Sequence, residues 1–231
     1  MKKRLPWLVP ATAIAALPFL ALAYWGRWIA HPVAGLNILG VDLPEYVKFV
    51  PEARYGVIPI NRLVFFGPPL ALSAGLILFA SLRSPLHPTL RILAGVLSAP
   101  VALSMLPPAW TPGVLMTPEF RAQTLLIMAL LTSALLIPLW KTLLPDWLRG
   151  GLFILLALLN IPALQAFHDL LPALEKLYNK PLTAGPGVLF LAIGMGLMMA
   201  AGVLIILSSF RPSVLHFSDS QPISTDSPEP P

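Results

Sequence analysis

Apolar residues in this chain run in long blocks instead of alternating with polar ones or recurring every third or fourth position. The blocks cover residues 5–30, 63–82, 92–110, 118–140, 148–168 and 188–210. At 1.5 Å rise per residue, about 20 residues cross a hydrocarbon core of about 30 Å. The pattern therefore predicts an all-α, polytopic integral membrane protein: a six-span transmembrane domain over 1–211, with both termini on one side. Local start signals agree with two of the boundaries. Thr117-Pro118-Glu119 offers an N-cap, a first-turn proline and an acid at the positive end of a helix dipole, and Gly185-Pro186 has a related form.

The segments between the blocks predict smaller elements. Asp42-Leu43-Pro44-Glu45 reads as a capping-box variant ahead of Tyr46, Val47, Phe49 and Val50, with Pro51 as a stop. This is a short helix suited to lying on the membrane surface. Between Asp169 and Lys180, Leu170, Leu171, Leu174 and Leu177 recur at helical spacing, which predicts a second interfacial helix. Residues 212–231, rich in Ser, Pro and acids, bury too little apolar surface to offset their ordering entropy and are expected to form a disordered cytoplasmic tail. No internal repeat of fixed period is visible.

Composition sharpens the class. Of 231 residues, 57% are hydrophobic and only 11% charged, less than half the charge of an average globular chain. Mean hydropathy is +0.80. The net charge of +5 does not indicate a nucleic-acid binder, because Lys and Arg stand singly at the ends of apolar blocks without interleaved aromatics. The absence of Cys removes disulfides, thiolate metal sites and Cys nucleophiles together.

The first block has two readings. Lys2-Lys3-Arg4 before an apolar run, with Ala21-Leu22-Ala23 beyond, has the form of a cleavable signal peptide. The run continues through Tyr24, Trp25 and Trp28, an aromatic belt at the far interface, and this favours an uncleaved span. With the N-terminus in the cytoplasm, Lys2, Lys3, Arg4, Arg83, Arg91, Lys141, Arg149 and Arg211 lie inside. Arg27, Lys48, Arg54, Arg62, Arg121, Lys176 and Lys180 lie outside. The count differs by one residue, but two of the inner loops are short and basic, so the expected location is a cell membrane, plasma or inner, with both termini cytoplasmic.

Chemistry is sparse. No Asp, Glu, Lys or Arg stands within a span away from its ends, which argues against a proton- or sodium-coupled pump. Metalloprotease, nucleophile-elbow and phosphate-loop signatures are missing. Prolines within the blocks, Pro18, Pro100, Pro138 and Pro162 among them, predict kinks that shape cavities. Small residues at four-residue spacing, Ala94, Ser98 and Ala102 in the third block and Ala192, Gly196 and Ala200 in the last, permit close helix approach, within this chain, in self-association or against a membrane-protein partner.

The fifth block is the most polar. On an unbroken helix Asn160, Leu164 and His168 share a face, with Gln165 beside them and Asp169 next in chain. The threading places His31, Arg27 and Arg62 at the same outer depth. Arg27, Arg62, Asn160, Gln165 and Asp169 are thus candidate ligand-binding residues for a headgroup or small anion. His168 and His31 are candidate axial ligands of a porphyrin-type metal. The competing reading is an ordinary interfacial rim of snorkelling side chains.

The function expected first is a non-catalytic subunit or accessory of a larger membrane assembly. A carrier or binding protein for a neutral, lipid-like or anionic small molecule comes second, and an outer-face membrane enzyme third.

Overall fold

A computed structural model of the chain describes residues 5–30, 37–83 and 87–210. It is almost entirely helical. Helix α1 (Leu5–Trp25) is followed by a short strand β1 (Arg27–Ala30), and β2 (Ile38–Leu39) pairs back on it. Small helices α2 (Leu43–Tyr46) and α3 (Pro51–Arg54) flank a 3₁₀ turn, Val47–Phe49. A second 3₁₀ turn, Arg62–Phe66, leads into α4 (Gly67–Ser81), and then come α5 (Pro88–Leu103) and the single turn α6 (Pro112–Leu115). The chain continues as α7 (Arg121–Leu135), α8 (Ile137–Leu143), α9 (Asp146–Leu158), α10 (Ile161–Tyr178), strand β3 (Thr183–Ala184) and α11 (Pro186–Ser209).

Four helical segments are long and apolar enough to cross a membrane: Trp7–Trp25, Arg62–Ser81, Asp146–Tyr178 and Pro186–Ser209. A fifth is obtained if α7 and α8, bent by 73° at their junction, are counted as one span. Pro138 at the start of α8 lacks the N–H that would continue the ladder, and its ring crowds the carbonyl four residues back. The third block forms only α5, a shorter apolar helix. Beyond it, a turn through Ser104 to Leu106 ends at Pro107-Pro108.

Several boundaries differ from the sequence expectation. The first span stops at Trp25, and Gly26 turns the chain into a three-stranded sheet, β2-β1-β3, that hydropathy did not distinguish from more helix. Trp28 is the wedge that holds this turn. It is 1% exposed, donates its indole N–H to the carbonyl of Ala23, and meets Phe65 and Phe167 edge to face. Pro51 begins α3 instead of stopping the preceding helix, and Asp42 makes no side-chain cap. Thr117 likewise does not cap: its hydroxyl donates to Val114, and the helix starts at Arg121. The interfacial helix expected over 169–180 is the continuation of α10, which ends at Asn179 in the left-handed region. Residues 212–231 lie outside the described residues.

Tight packing runs through glycines. A Cβ on Gly150 of α9 would lie 2.5 Å from the carbonyl oxygen of Gly202 on α11, and one on Gly202 would lie 2.6 Å from that of Gly150. Gly194 of α11 sits against Leu20 of α1. In a bilayer, where lipid is as apolar as a side chain, such backbone approach is what draws helices together. The stripe Ala94, Ser98 and Ala102 is buried, and Ser98 accepts at its carbonyl from the Ser73 hydroxyl of α4. Ala192, Gly196 and Ala200 face outward, and nothing lies within 4 Å of the Cβ position at Gly196.

α1 runs antiparallel to α4 and α11, α4 to α5 and α9, α5 to α7, and α9 to α11, while α7–α8 runs parallel to α4, so the bundle has two ends. One carries the sheet, α2, α3 and the starts of α4, α7 and α11. The other carries the α4–α5 and α8–α9 connections.

Candidate functional site

At the sheet-bearing end, the sequence candidates do not form one cluster. Arg27 opens β1 with its side chain exposed, and no ion pair among the described residues includes it. Gln165, His168 and Asp169 are exposed on α10 and line, with Leu164, a wide-open concavity of about 520 Å³. Asn160 points elsewhere. It stands fully buried at the start of α10 without a side-chain capping bond, donates to the carbonyl of Leu156, and turns its Oδ1 toward Gly67, where any Cβ would sit 2.9 Å away. Asn160 lies on the buried side of α10 with Ala163, Phe167 and Leu170, whereas His168 lies on its exposed side. His31, the other proposed axial ligand, lies outside the described residues. Among the described residues no three His, Asp or Glu side chains are placed to hold a metal ion.

Arg62 belongs to a different cluster. Its guanidinium donates to Glu45 at 2.9 Å and to the backbone carbonyl of Glu119 at 2.7 Å. Lys48 pairs with both Glu45 (2.6 Å) and Glu119 (2.5 Å), and both cations stand 4.8 Å from the centroid of the Phe120 ring. The hydrogen bond from Lys48 holds the Glu119 carboxyl below its usual range, outweighing desolvation, with the charges of Lys48 and Arg62 adding to it. Because the shift is downward, this contribution is present above the ordinary carboxylate pKa and fades as pH falls through the lowered value. Exposed pairs of this kind are worth about 0.2–1 kcal/mol each. Their effect is positional: they fasten α2 and the Arg62 turn to the start of α7.

The opposite end has the stronger charge asymmetry. Arg83, Arg91, Lys141 and Arg149 gather there, and Asp146 is the one carboxylate among the described residues. Arg149 is fully buried, pairs with Asp146, and donates to the carbonyls of Trp140 and Lys141 at 3.1 and 2.9 Å. Arg83 donates to Lys141 and Thr142 carbonyls, so two guanidiniums occupy the C-terminal carbonyls of α8. Arg91 uses its Nε on the carbonyl of Ala80. The Lys141 ammonium and the terminal nitrogens of Arg91 have no partner among the described residues.

Arg91 and Lys141 stand on a cleft of about 830 Å³ between α5 and the α7–α8 bend. Its walls are otherwise apolar, with Ile92, Val96, Leu131, Leu135 and Pro138 prominent. The cleft is lined from both sides of the 73° bend, with Leu131 and Leu135 of α7 and Pro138 of α8, and Ile137 at the start of α8 packs against Gly95 at its floor. The result is an apolar trough with two cations and no carboxylate in its lining. The sequence counted these cations as loop charges that orient the chain. The readable signal was Pro138, a bend adjacent to a basic connection.

Comparison of the chain with protein-family models, curated proteins and solved structures returns no match.

Proposed function

We propose that this chain is a non-catalytic multi-pass membrane protein that holds an anionic, lipid-like molecule in the α5/α7–α8 cleft, with the basic end on the cytoplasmic side. Six crossings, with α5 and the bent α7–α8 pair each counting as one, go with this reading. The observation that carries it is the cleft itself: an apolar trough of about 830 Å³ whose charged lining residues are Arg91 and Lys141. A phosphate or carboxylate head meets two cations, while an acyl chain lies along Ile92, Val96 and Leu135, which are 67%, 63% and 82% exposed in the chain alone. Chains of ordinary neutral lipid fill the same trough but leave the cations without a counter-ion.

The test is native mass spectrometry of the full chain released from membranes in mild detergent and offered phosphatidylglycerol or phosphatidylcholine. Phosphatidylglycerol should be retained selectively. Removing both cations in Arg91→Gln/Lys141→Gln should weaken its retention about tenfold or more, at about 1 kcal/mol for each charge. Equal retention of the two lipids, or unchanged retention by the double variant, refutes the proposal. Orientation has its own check. A reporter fused after Ser209 should read as cytoplasmic and one inserted beside Glu52 as external, and the reverse labelling would turn the protein over.

The subunit reading is favoured by a separate observation, the outward face of Ala192, Gly196 and Ala200 on α11. That face admits close approach by another helix without rearrangement of this chain.

A further inference from the structure

A second cavity, of about 450 Å³, lies at the sheet-bearing end beneath the Glu45–Lys48–Arg62–Glu119 cluster, between the end of α1, the start of α2 and the turn after α5. Its polar lining is one-sided. Gln123 of α7, a lining residue, is 2% exposed and donates its Nε2 to the carbonyl of Met105, which fixes the orientation of the amide and leaves Oε1, itself buried, with no partner. The Tyr24 hydroxyl, equally buried, spends its proton on the carbonyl of Ser104 at 3.1 Å and keeps its oxygen as an acceptor. Asp42 makes no side-chain cap and no ion pair among the described residues, and lines the cavity together with Tyr24. Glu45 is already engaged by Lys48 and Arg62.

The balance of charges gives the ligand its sign. The charged residues of the lining are Asp42 and Glu45, and Glu45 is paired with Lys48 and Arg62, which leaves Asp42 as the lining carboxylate with no ion pair among the described residues. Unused acceptors at Asp42, Gln123 and Tyr24 call for a ligand that donates. The rings of Tyr24, Tyr46, Phe49 and Phe66 in the same lining suit a cation with an apolar body. An unpartnered buried amide oxygen costs free energy that a bound N–H would return.

From this geometry we infer that the cavity is a binding site for a small primary ammonium compound, held by a charge-assisted hydrogen bond to Asp42, an N–H bond to Gln123 Oε1 and aromatic contact. This site is independent of the lipid cleft at the other end of the bundle and stands or falls without it.

Isothermal titration of the full chain in detergent with n-propylammonium, tetramethylammonium and propionate tests it. n-Propylammonium should bind saturably, tetramethylammonium, which has no N–H to give, should bind about tenfold more weakly, and propionate should not bind. Asp42→Asn and Gln123→Leu should each weaken n-propylammonium binding about tenfold, in line with loss of one hydrogen bond to a charged group. Asp42 is exposed, so Asp42→Asn decides the matter even if Gln123→Leu fails to fold. Absence of saturable n-propylammonium binding overturns the inference, as does equal binding of tetramethylammonium or unchanged affinity in Asp42→Asn. Arg91→Gln/Lys141→Gln should bind n-propylammonium as the unmodified chain does, which separates failure here from failure at the lipid cleft.

Discussion

Gly150→Val should cost about 3 kcal/mol of stability, read as earlier unfolding in a denaturant titration of the detergent-solubilised chain. The figure sits at the upper end of overpacking penalties because the obstacle is backbone on both sides. The Gly202 carbonyl would stand 2.5 Å from the new Cβ, and no rotamer change can move it. α9 and α11 must separate, and with them goes the main contact of α9. Gly151→Val, one position along, meets nothing within 4 Å and should stay within about 0.5 kcal/mol of the original. Gly196→Leu, equally open, should leave stability unchanged, and loss of a co-purifying partner in that variant alone would identify its face as an assembly surface. Equal unfolding of the Gly150 and Gly151 variants would show that the α9–α11 crossing is not held at this point.

Asp146→Ala should be the most damaging exposed-surface change in the chain, at about 2 kcal/mol. Arg149 is fully buried beneath the α8–α9 connection, and Asp146 is its carboxylate partner. Breaking a fully buried pair from one side costs about 3–5 kcal/mol. Asp146 is 40% exposed, so water screens part of the pair and the expected loss is smaller. Arg149→Lys should not be a mild change, since an ammonium cannot span Asp146 and the carbonyls of Trp140 and Lys141 as the guanidinium fork does. Thermal unfolding of the two variants in detergent checks both statements, and wild-type midpoints for both would mean that the buried guanidinium contributes nothing net.

What the sequence made legible follows from how strongly each feature perturbs hydropathy. The apolar blocks foretell helices, and four of the resulting segments, or five with the bent α7–α8 pair, are long and apolar enough to cross a membrane. The small sheet escapes the same reading. Trp28 and Ile29 are as buried and apolar as residues of a span, so only Gly26 marks the change from helix to strand. Helical spacing placed Asn160 and His168 on one face, but eight residues turn a helix about 80° past the starting direction. The buried positions Ala163, Phe167, Leu170 and Leu174 continue the side of Asn160, so Asn160 faces inward and His168 the surface.

Two registers of small residues also compete on α11. Ala192, Gly196 and Ala200 have the more regular spacing, but Gly194 and Gly202 make the contacts within the chain. Spacing alone cannot choose between them, because both satisfy the steric condition for close approach and the choice depends on which face α1 and α9 present. Arg149 was legible only as a loop cation. Its burial depends on α8 ending directly above it, a tertiary fact. The cleft and the cavity with Gln123 are likewise products of helix bends and turns, which leave faint traces in composition.

The pairing of α1 with α11 bears on how the protein is made. Leu20 packs against Gly194, and β3 closes onto β1, so the elements most in contact are nearly the farthest apart in sequence. At ordinary synthesis speeds of about 5–20 residues per second, α1 waits on the order of ten to thirty seconds in the bilayer before its main partner emerges. Until then Ala13, Ala16 and Leu20 face lipid or a chaperoning protein, and the ribosome must deliver nearly the whole domain before its first helix is locked. α1 meets α4 earlier, where Leu17 lies against Gly75, but its larger contact, with α11, waits for the Pro186–Ser209 segment. A chain that ends before Pro186 would therefore leave the side of α1 that packs on α11, Leu20 among it, without its cover.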